Sequence, residues 1–264
     1  MKLSISNIAW SVESDASIYT MLSMLDFKGL EIAPTRIFPE SPYNHLIEAK
    51  EWATKLMERE GLVVSSMQSI WYGHSENMFD SESNRKALID YTKKAIVFAE
   101  AIGCKNLVFG NPRNRDTENI EVALPVAVAF FKEIAEYALE HHTVIALEPN
   151  PKIYNTRFMN TTEQAVEMAY KINSNGVRVN VDLGAIIYNE ENIDYLKQIP
   201  EYINHVHISE PGLKQIEERN LHKELFSVLK FIEYDKFVSI EMGNQNDDQA
   251  VQQSMVYVQN IFNE

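Results

Sequence analysis

The sequence predicts a single (β/α)8 barrel spanning residues 1–264, and three observations carry that reading. Short β-rich runs and helical stretches alternate eight times along the chain. The first strand runs into "NIAWSVESD" with no Gly-x-Gly-x-x-Gly turn, which argues against a doubly wound open sheet. The last four strands each end on an acid or an imidazole, one βα unit apart, as expected for residues gathered at the C-terminal rim of a barrel.

The strands are read in order as "KLSISNIAW" (2–10), "GLEIAP" (29–34), "LVVSSMQSIW" (62–71), "KNLVFGNP" (105–112), "TVIALEPN" (143–150), "VRVNVDLGA" (177–185), "INHVHISE" (203–210) and "KFVSIEMG" (236–243). Each is a short run of apolar and β-branched residues bounded by turn residues. The first helix, 15–26, carries Ile18, Leu22 and Leu25 on one face. "YNHLIEAKEWATKLMEREG" stops at Gly61, and "SESNRKALIDYTKKAIVFAEAIG" stops at Gly103. Further helices are expected at about 118–141, 161–174, 189–199, 219–232 and 247–262, the fifth capped by Thr161 or Thr162.

Composition narrows the function. The chain is 45% hydrophobic and 23% charged, ordinary for a globular protein with a sizeable core. A net charge of −14 argues against nucleic acid or an anionic membrane surface as partner. The lone Cys104 forms no internal disulfide, and the N-terminus carries no basic segment followed by an apolar run. Together these point to the cytoplasm. No stretch approaches the roughly 18 apolar residues of a membrane span.

Strand parity gives the candidate site. In "VRVNVDL", Val177, Val179, Val181 and Leu183 face outward, which turns Arg178, Asn180 and Asp182 toward the barrel axis. The same rule turns Glu148, His205, His207 and Glu241 inward. Three carboxylates and an imidazole at one mouth repel unless a cation joins them. Mixed oxygen and nitrogen ligation suits one divalent ion, Mn²⁺, Mg²⁺ or Co²⁺, and also admits Zn²⁺. His207 is preferred to His205 as the ligand because it stands nearer the rim. Glu210 is either a partner orienting an imidazole or a loop cap. Glu31 and Arg178 also face inward, where an ion pair in the barrel core is the plain reading.

The segments "ALEPN", "VDLGA", "HVHISE" and "VSIEM", in this order and spacing, resemble the sugar isomerase/epimerase superfamily with a xylose-isomerase-like barrel, and the resemblance covers the whole chain. In its ketose 3-epimerase and related branches one divalent metal is held by Glu, Asp, His and Glu. Carried over, these are Glu148, Asp182, His207 and Glu241, with both glutamates serving as proton donor and acceptor. The resemblance implies a metal-dependent isomerase or epimerase that removes a proton next to a carbonyl through a metal-stabilised enediolate. Its alternatives are a dehydratase of the inosose type and a sugar-binding barrel without turnover. The sequence departs from the epimerases at Ala185, Leu213 and Tyr154, where they carry His, Arg and Glu. The apurinic-site endonuclease branch fits poorly, since Ala185 and "VFGNPRNR" lack histidines of its three-zinc cluster.

The remaining candidates are substrate contacts. Trp10 and Trp71 stand where an aromatic wall would meet a sugar ring, or they pack in the core. Gln68 faces the lumen if Val64 and Ser66 do. Arg113 and Arg115 in "NPRNRD", together with Lys152, Arg157 and Lys214, are either solvated or grip an anionic group of the substrate. They favour a phosphorylated or acidic sugar, with Arg113 or Arg115 as the clamp. His222 in "RNLHKEL" reads as an exposed helix residue. Self-association into a homo-oligomer is left open.

Overall fold

A computed structural model describes residues 1–262. Eight parallel strands close in sequence order: β1 (Lys2–Ser6), β2 (Gly29–Ile32), β3 (Val63–Met67), β4 (Asn106–Phe109), β5 (Val144–Leu147), β6 (Val177–Asp182), β7 (Ile203–Ser209) and β8 (Phe237–Glu241). Closure is made by β1 and β8, with Lys2 opposite Phe237 and Ile5 opposite Ile240. The barrel is therefore a (β/α)8 barrel, as expected.

The outer layer is α1 (Asp15–Met24), α2 (Pro34–Ile37), α3 (Leu46–Glu60), α4 (Glu82–Ala101), α5 (Ile120–Glu140), α6 (Thr162–Ile172), α7 (Leu183–Asn189), α8 (Asn220–Phe231) and α9 (Asp248–Phe262). Caps fix several ends. Thr161 Oγ1 accepts from Gln164 N at 3.2 Å and starts α6. Gly61, at φ 69°, takes the left-handed conformation that ends α3. Outward strand residues such as Val179, Val181, Val206 and Ile208 are fully buried under these helices. Each such side chain contributes about 1.5–3 kcal/mol. Among the described residues no helix is long and apolar enough to cross a membrane.

Three differences from the sequence reading bear on the site. The strands are shorter than the β-rich runs. β1 stops at Ser6 because Asn7 begins a 3₁₀ turn and its side chain accepts from Ala33 N at 2.9 Å. The sixth helix expected at 189–199 is divided: α7 begins directly after β6, and Ile193–Gln198 is a 3₁₀ segment. Asp182 causes this, since its Oδ1 accepts from Ala185 N at 2.6 Å and caps α7 without an intervening loop. Finally, the register slips between Leu30 and Glu31 and between Val179 and Asn180. Such bulges re-aim the side chains that follow them.

Candidate metal centre and active site

Glu148 lies one residue beyond β5, while Asp182 and Glu241 are the last residues of β6 and β8. His207 sits two residues inside the end of β7. One donor atom from each comes within 4.8 Å of all the others. His207 Nδ1 is 3.0 Å from Glu148 Oε1 and 3.3 Å from Glu241 Oε2. Asn180 Nδ2 donates to Glu148 Oε1 at 2.7 Å and stands 3.1 Å from His207 Nδ1. Asp182 Oδ2 accepts from Ser209 Oγ at 2.5 Å. The four residues picked out by parity are thus one buried cluster.

Its electrostatics are unbalanced. Burial, reinforced by the charges of Glu148 and Glu241, pushes Asp182 up to about 8. Burial likewise raises Glu241, against the pull of His207. Burial opposes a charge on His207, but Glu31, Glu241 and Glu148 outweigh it and hold the imidazole well above its ordinary value. Three acids around one imidazole fit a divalent cation, whose charge relieves the repulsion and whose oxygen and nitrogen preferences they meet.

Above the cluster opens a cavity of about 250 Å³. Gln68, Asn111 and Asn150 line it beside Glu148, Asp182 and Glu241, with Val108, Pro112, Tyr154 and Leu213 on the less polar wall. Gly110 also lines it, because a Cβ there would stand 2.3 Å from Glu148 Oε2. Tyr154 accepts from Gly212 N at 3.0 Å, and burial raises its hydroxyl to about 12, so it stays protonated. Leu213 holds φ 54°, and its carbonyl accepts from Gly243 N at 2.8 Å. Ala185 is buried in the first turn of α7.

Several candidate contacts lie elsewhere. Trp10 and Trp71 are each 1% exposed and absent from the cavity wall. Trp10 Nε1 donates to Asp15, and Trp71 Nε1 donates to Thr92 with its ring edge-on to Phe109 and Phe130. Both are core residues, since the shortened strands leave them under the helices. Arg113 and Lys214 are exposed and do not line the cavity. Arg115 is fully buried behind it, where Nη2 donates to Glu148 O at 2.7 Å and to Asn150 Oδ1 at 2.6 Å. Arg157 pairs with Asp116 and Glu118, and Lys152 is exposed.

Glu210 orients no imidazole. It is 2% exposed and binds Arg219 at 2.6 Å, and it accepts from Glu217 N at 3.3 Å. His205 lies below the cluster, against Glu31. Arg178 makes no core ion pair: its guanidinium turns to Ser174 O, Val177 O and Asn175. His222 is buried rather than exposed, facing Tyr257. Its spacing to Leu225 and Leu229 on α8 is the helical periodicity that marks a buried face. Gly110 and Asn150 were not singled out from the sequence, although both stand within the strand-end motifs "VFGNP" and "ALEPN".

Comparison with known proteins agrees with this architecture. The chain resembles the 3-keto-D-glucoside 4-epimerase YcjR of E. coli, with TM-score 0.79, 19% identity, and 98% of this chain and 99% of that one covered. It also resembles the D-psicose 3-epimerase of Clostridium cellulolyticum H10, solved with D-tagatose, with TM-score 0.80, 17% identity, and 100% and 98% covered. A third is the IolI protein with a bound zinc atom, with TM-score 0.75, 18% identity, and 99% and 98% covered. By sequence, no curated protein matches. The family model for the xylose isomerase-like TIM barrel matches residues 21–261, and the chain belongs to that family.

Proposed function

We propose that this chain is a divalent-metal-dependent enzyme that isomerises or epimerises a small, uncharged sugar or sugar derivative by moving a proton next to a carbonyl. The observation that carries the reading is the buried cluster of Glu148, Asp182, His207 and Glu241 under an open cavity. These four residues would hold the ion. Bound there, a divalent cation would supply Lewis-acid polarisation of the substrate's carbonyl and neighbouring hydroxyl. Glu148 and Glu241 come from β5 and β8 and meet at His207 Nδ1, so one can take a proton while the other returns one. Gln68, Asn111 and Asn150 are placed to bind hydroxyls, and Leu213 and Val108 exclude water from the far wall.

An uncharged substrate follows from the cavity wall. Among the described residues lining it, three are carboxylates and none is Lys or Arg. The anionic sugar expected from Arg113 and Arg115 therefore gives way to a neutral one. The acidic surface, with net charge −14, suits a small-molecule partner and not a nucleic acid.

The test is turnover on a panel of neutral ketoses, aldoses and inososes with added Mn²⁺, followed by NMR of the products. Configurational exchange, abolished in Glu241→Gln with the fold intact, is the expected result. Loss of water would make the enzyme a dehydratase. Saturable binding without conversion of any panel member would make it a sugar-binding barrel.

A further inference from the structure

Below the proposed metal centre is a second set of buried polar groups that touches neither the cavity nor solvent. Glu31 projects from β2 across the lumen toward β7 and is 0% exposed. Its partners are two imidazoles. His205 Nε2 is 2.7 Å from Oε2, and His207 Nε2 is 3.0 Å from Oε1 and 3.1 Å from Oε2. A buried carboxylate needs hydrogen-bond donors, and a neutral imidazole has one N–H to give. Facing Glu31 with a bare Nε2 would set a lone pair against an acid in a dry interior.

We infer that Glu31, pinned by His205, is a positioning residue that fixes His207 with its proton on Nε2 and so presents the Nδ1 lone pair to Glu148, Asp182 and Glu241 as a metal ligand. The inference rests on the metal-centre reading above.

On the other side of the ring, Nδ1 meets the amide donor Asn180 Nδ2 at 3.1 Å and the acids Glu148 and Glu241 at 3.0 and 3.3 Å, and a cation shared with those acids would take the Nδ1 lone pair. The two register slips put an extra residue on β3, Ser65, and on β7, Asn204, so the second bulge falls on the strand that carries both imidazoles, just before His205. The His205 ring stands at 88° to that of His207, with centroids 5.2 Å apart, so it holds the Glu31 carboxylate from beneath without stacking on the ligand ring.

The trio Glu31, His205 and His207 also brings its donor atoms within 4.8 Å of one another, which raises a second ion as a rival. The distances oppose it. Ligands of a tetrahedral ion at about 2.0–2.1 Å stand roughly 3.3 Å apart, whereas His205 and Glu31 approach to 2.7 Å. That is a hydrogen bond, and it makes the lower set a support for the upper one.

The experiment loads the protein with Zn²⁺, a diamagnetic probe, and reads the ¹⁵N-labelled histidine side chains by long-range ¹H–¹⁵N NMR, alongside calorimetric titration of Zn²⁺ and Mn²⁺. The expected spectrum has His207 metal-bound through Nδ1 and protonated at Nε2, with one ion per chain. Glu31→Gln should weaken binding about 10–100-fold while circular dichroism stays native, and His205→Gln should weaken it less. Wild-type His207 bound through Nε2, or two ions per chain, overturns the inference even if no Glu31 variant folds. So does a folded Glu31→Gln with unchanged affinity and an unchanged His207 pattern. Wild-type protein that binds neither ion removes the metal-centre reading itself, and the inference with it.

Discussion

Two layers of buried acids and imidazoles are stacked in one lumen, share His207, and meet opposite electrostatic fates. In the lower layer burial would raise Glu31, yet His207 and His205 overcome it and hold the carboxyl far below its usual range. One acid faces two imidazoles whose Nε2 atoms both hydrogen-bond its Oε2, while Oε1 has no hydrogen bond of its own. In the upper layer three acids crowd the other face of the same ring, and burial drives Asp182 and Glu241 upward. Both layers are buried and both are charged. A surplus of one sign, and not burial as such, distinguishes the proposed metal centre from a structural network.

The largest effect should come from substitutions that test this contrast by sign. Asp182→Asn replaces the acid that burial and its neighbours force toward the protonated form, and it keeps an oxygen to cap Ala185 N. The metal-free variant is expected to melt higher than metal-free wild type, to lose protection by Mn²⁺, and to lose about 10²–10³-fold in turnover. Glu31→Leu leaves two imidazoles without their acid and is expected to lower stability by about 3–5 kcal/mol. Urea unfolding with and without Mn²⁺ measures both. Shifts of the same sign would break the comparison.

Next in size is Gly110→Ala. The new Cβ meets Glu148 Oε2 at 2.3 Å, the tip of a side chain that can swing away. Turnover should fall about 10–100-fold through the misplaced carboxylate, while the unfolding midpoint barely changes. A large loss of stability instead would mean that the upper layer is as rigid as the lower.

The two loop arginines should differ sharply. Arg115 holds the Glu148 carbonyl and Asn150 from behind, so Arg115→Ala should cost about 1.5–3 kcal/mol of stability per charged hydrogen bond lost. Arg113 is exposed and away from the cavity, so Arg113→Ala should leave kcat/KM on neutral sugars within about twofold, as for surface changes. Kinetics on neutral and phosphorylated forms of one sugar check the second half. A preference for the phosphorylated form, lost in Arg113→Ala, would restore the anion clamp.

Much of this was legible in the sequence because β-strands alternate strictly. Parity alone turns Glu148, Asp182, His207 and Glu241 to one axis, and the βα repeat sets them at one height. Parity also turns Glu31 and Asn180 inward, but not onto His207: an extra residue on β7, Asn204, shifts the strand that carries that ring, and no residue pattern announces it. Arg178 shows the limit: it follows parity on β6 yet lies at the open N-terminal end, where its long side chain finds backbone carbonyls. Trp10 and Trp71 fail for a related reason. Each stands beyond its strand, where turn geometry replaces alternation. Arg115 reads as a loop cation until the fold wraps it behind Glu148.

The last prediction concerns a third buried histidine, which lies outside the barrel and has no carboxylate partner among the described residues. His222 on α8 has Nδ1 2.9 Å from the Tyr257 hydroxyl of α9, and its Nε2 has no partner among the described residues. Burial, with help from Arg219, pushes it down to about 4. The folded protein thus keeps it neutral while the unfolded chain takes up a proton near pH 6.5. Between those values the unfolded state binds more protons, so stability is full above pH 6.5 and drains as pH falls toward 4. From pH 7 to pH 5 the loss from this one group is about 2 kcal/mol. Carboxylates contribute their own slope, which His222→Gln shares and which therefore cancels in the difference. Urea unfolding of wild type and His222→Gln at the two pH values should show wild type losing about 2 kcal/mol more. A difference near zero would mean that the ring is not held neutral. A difference of opposite sign would mean that it has an acidic partner after all, as His205 and His207 do.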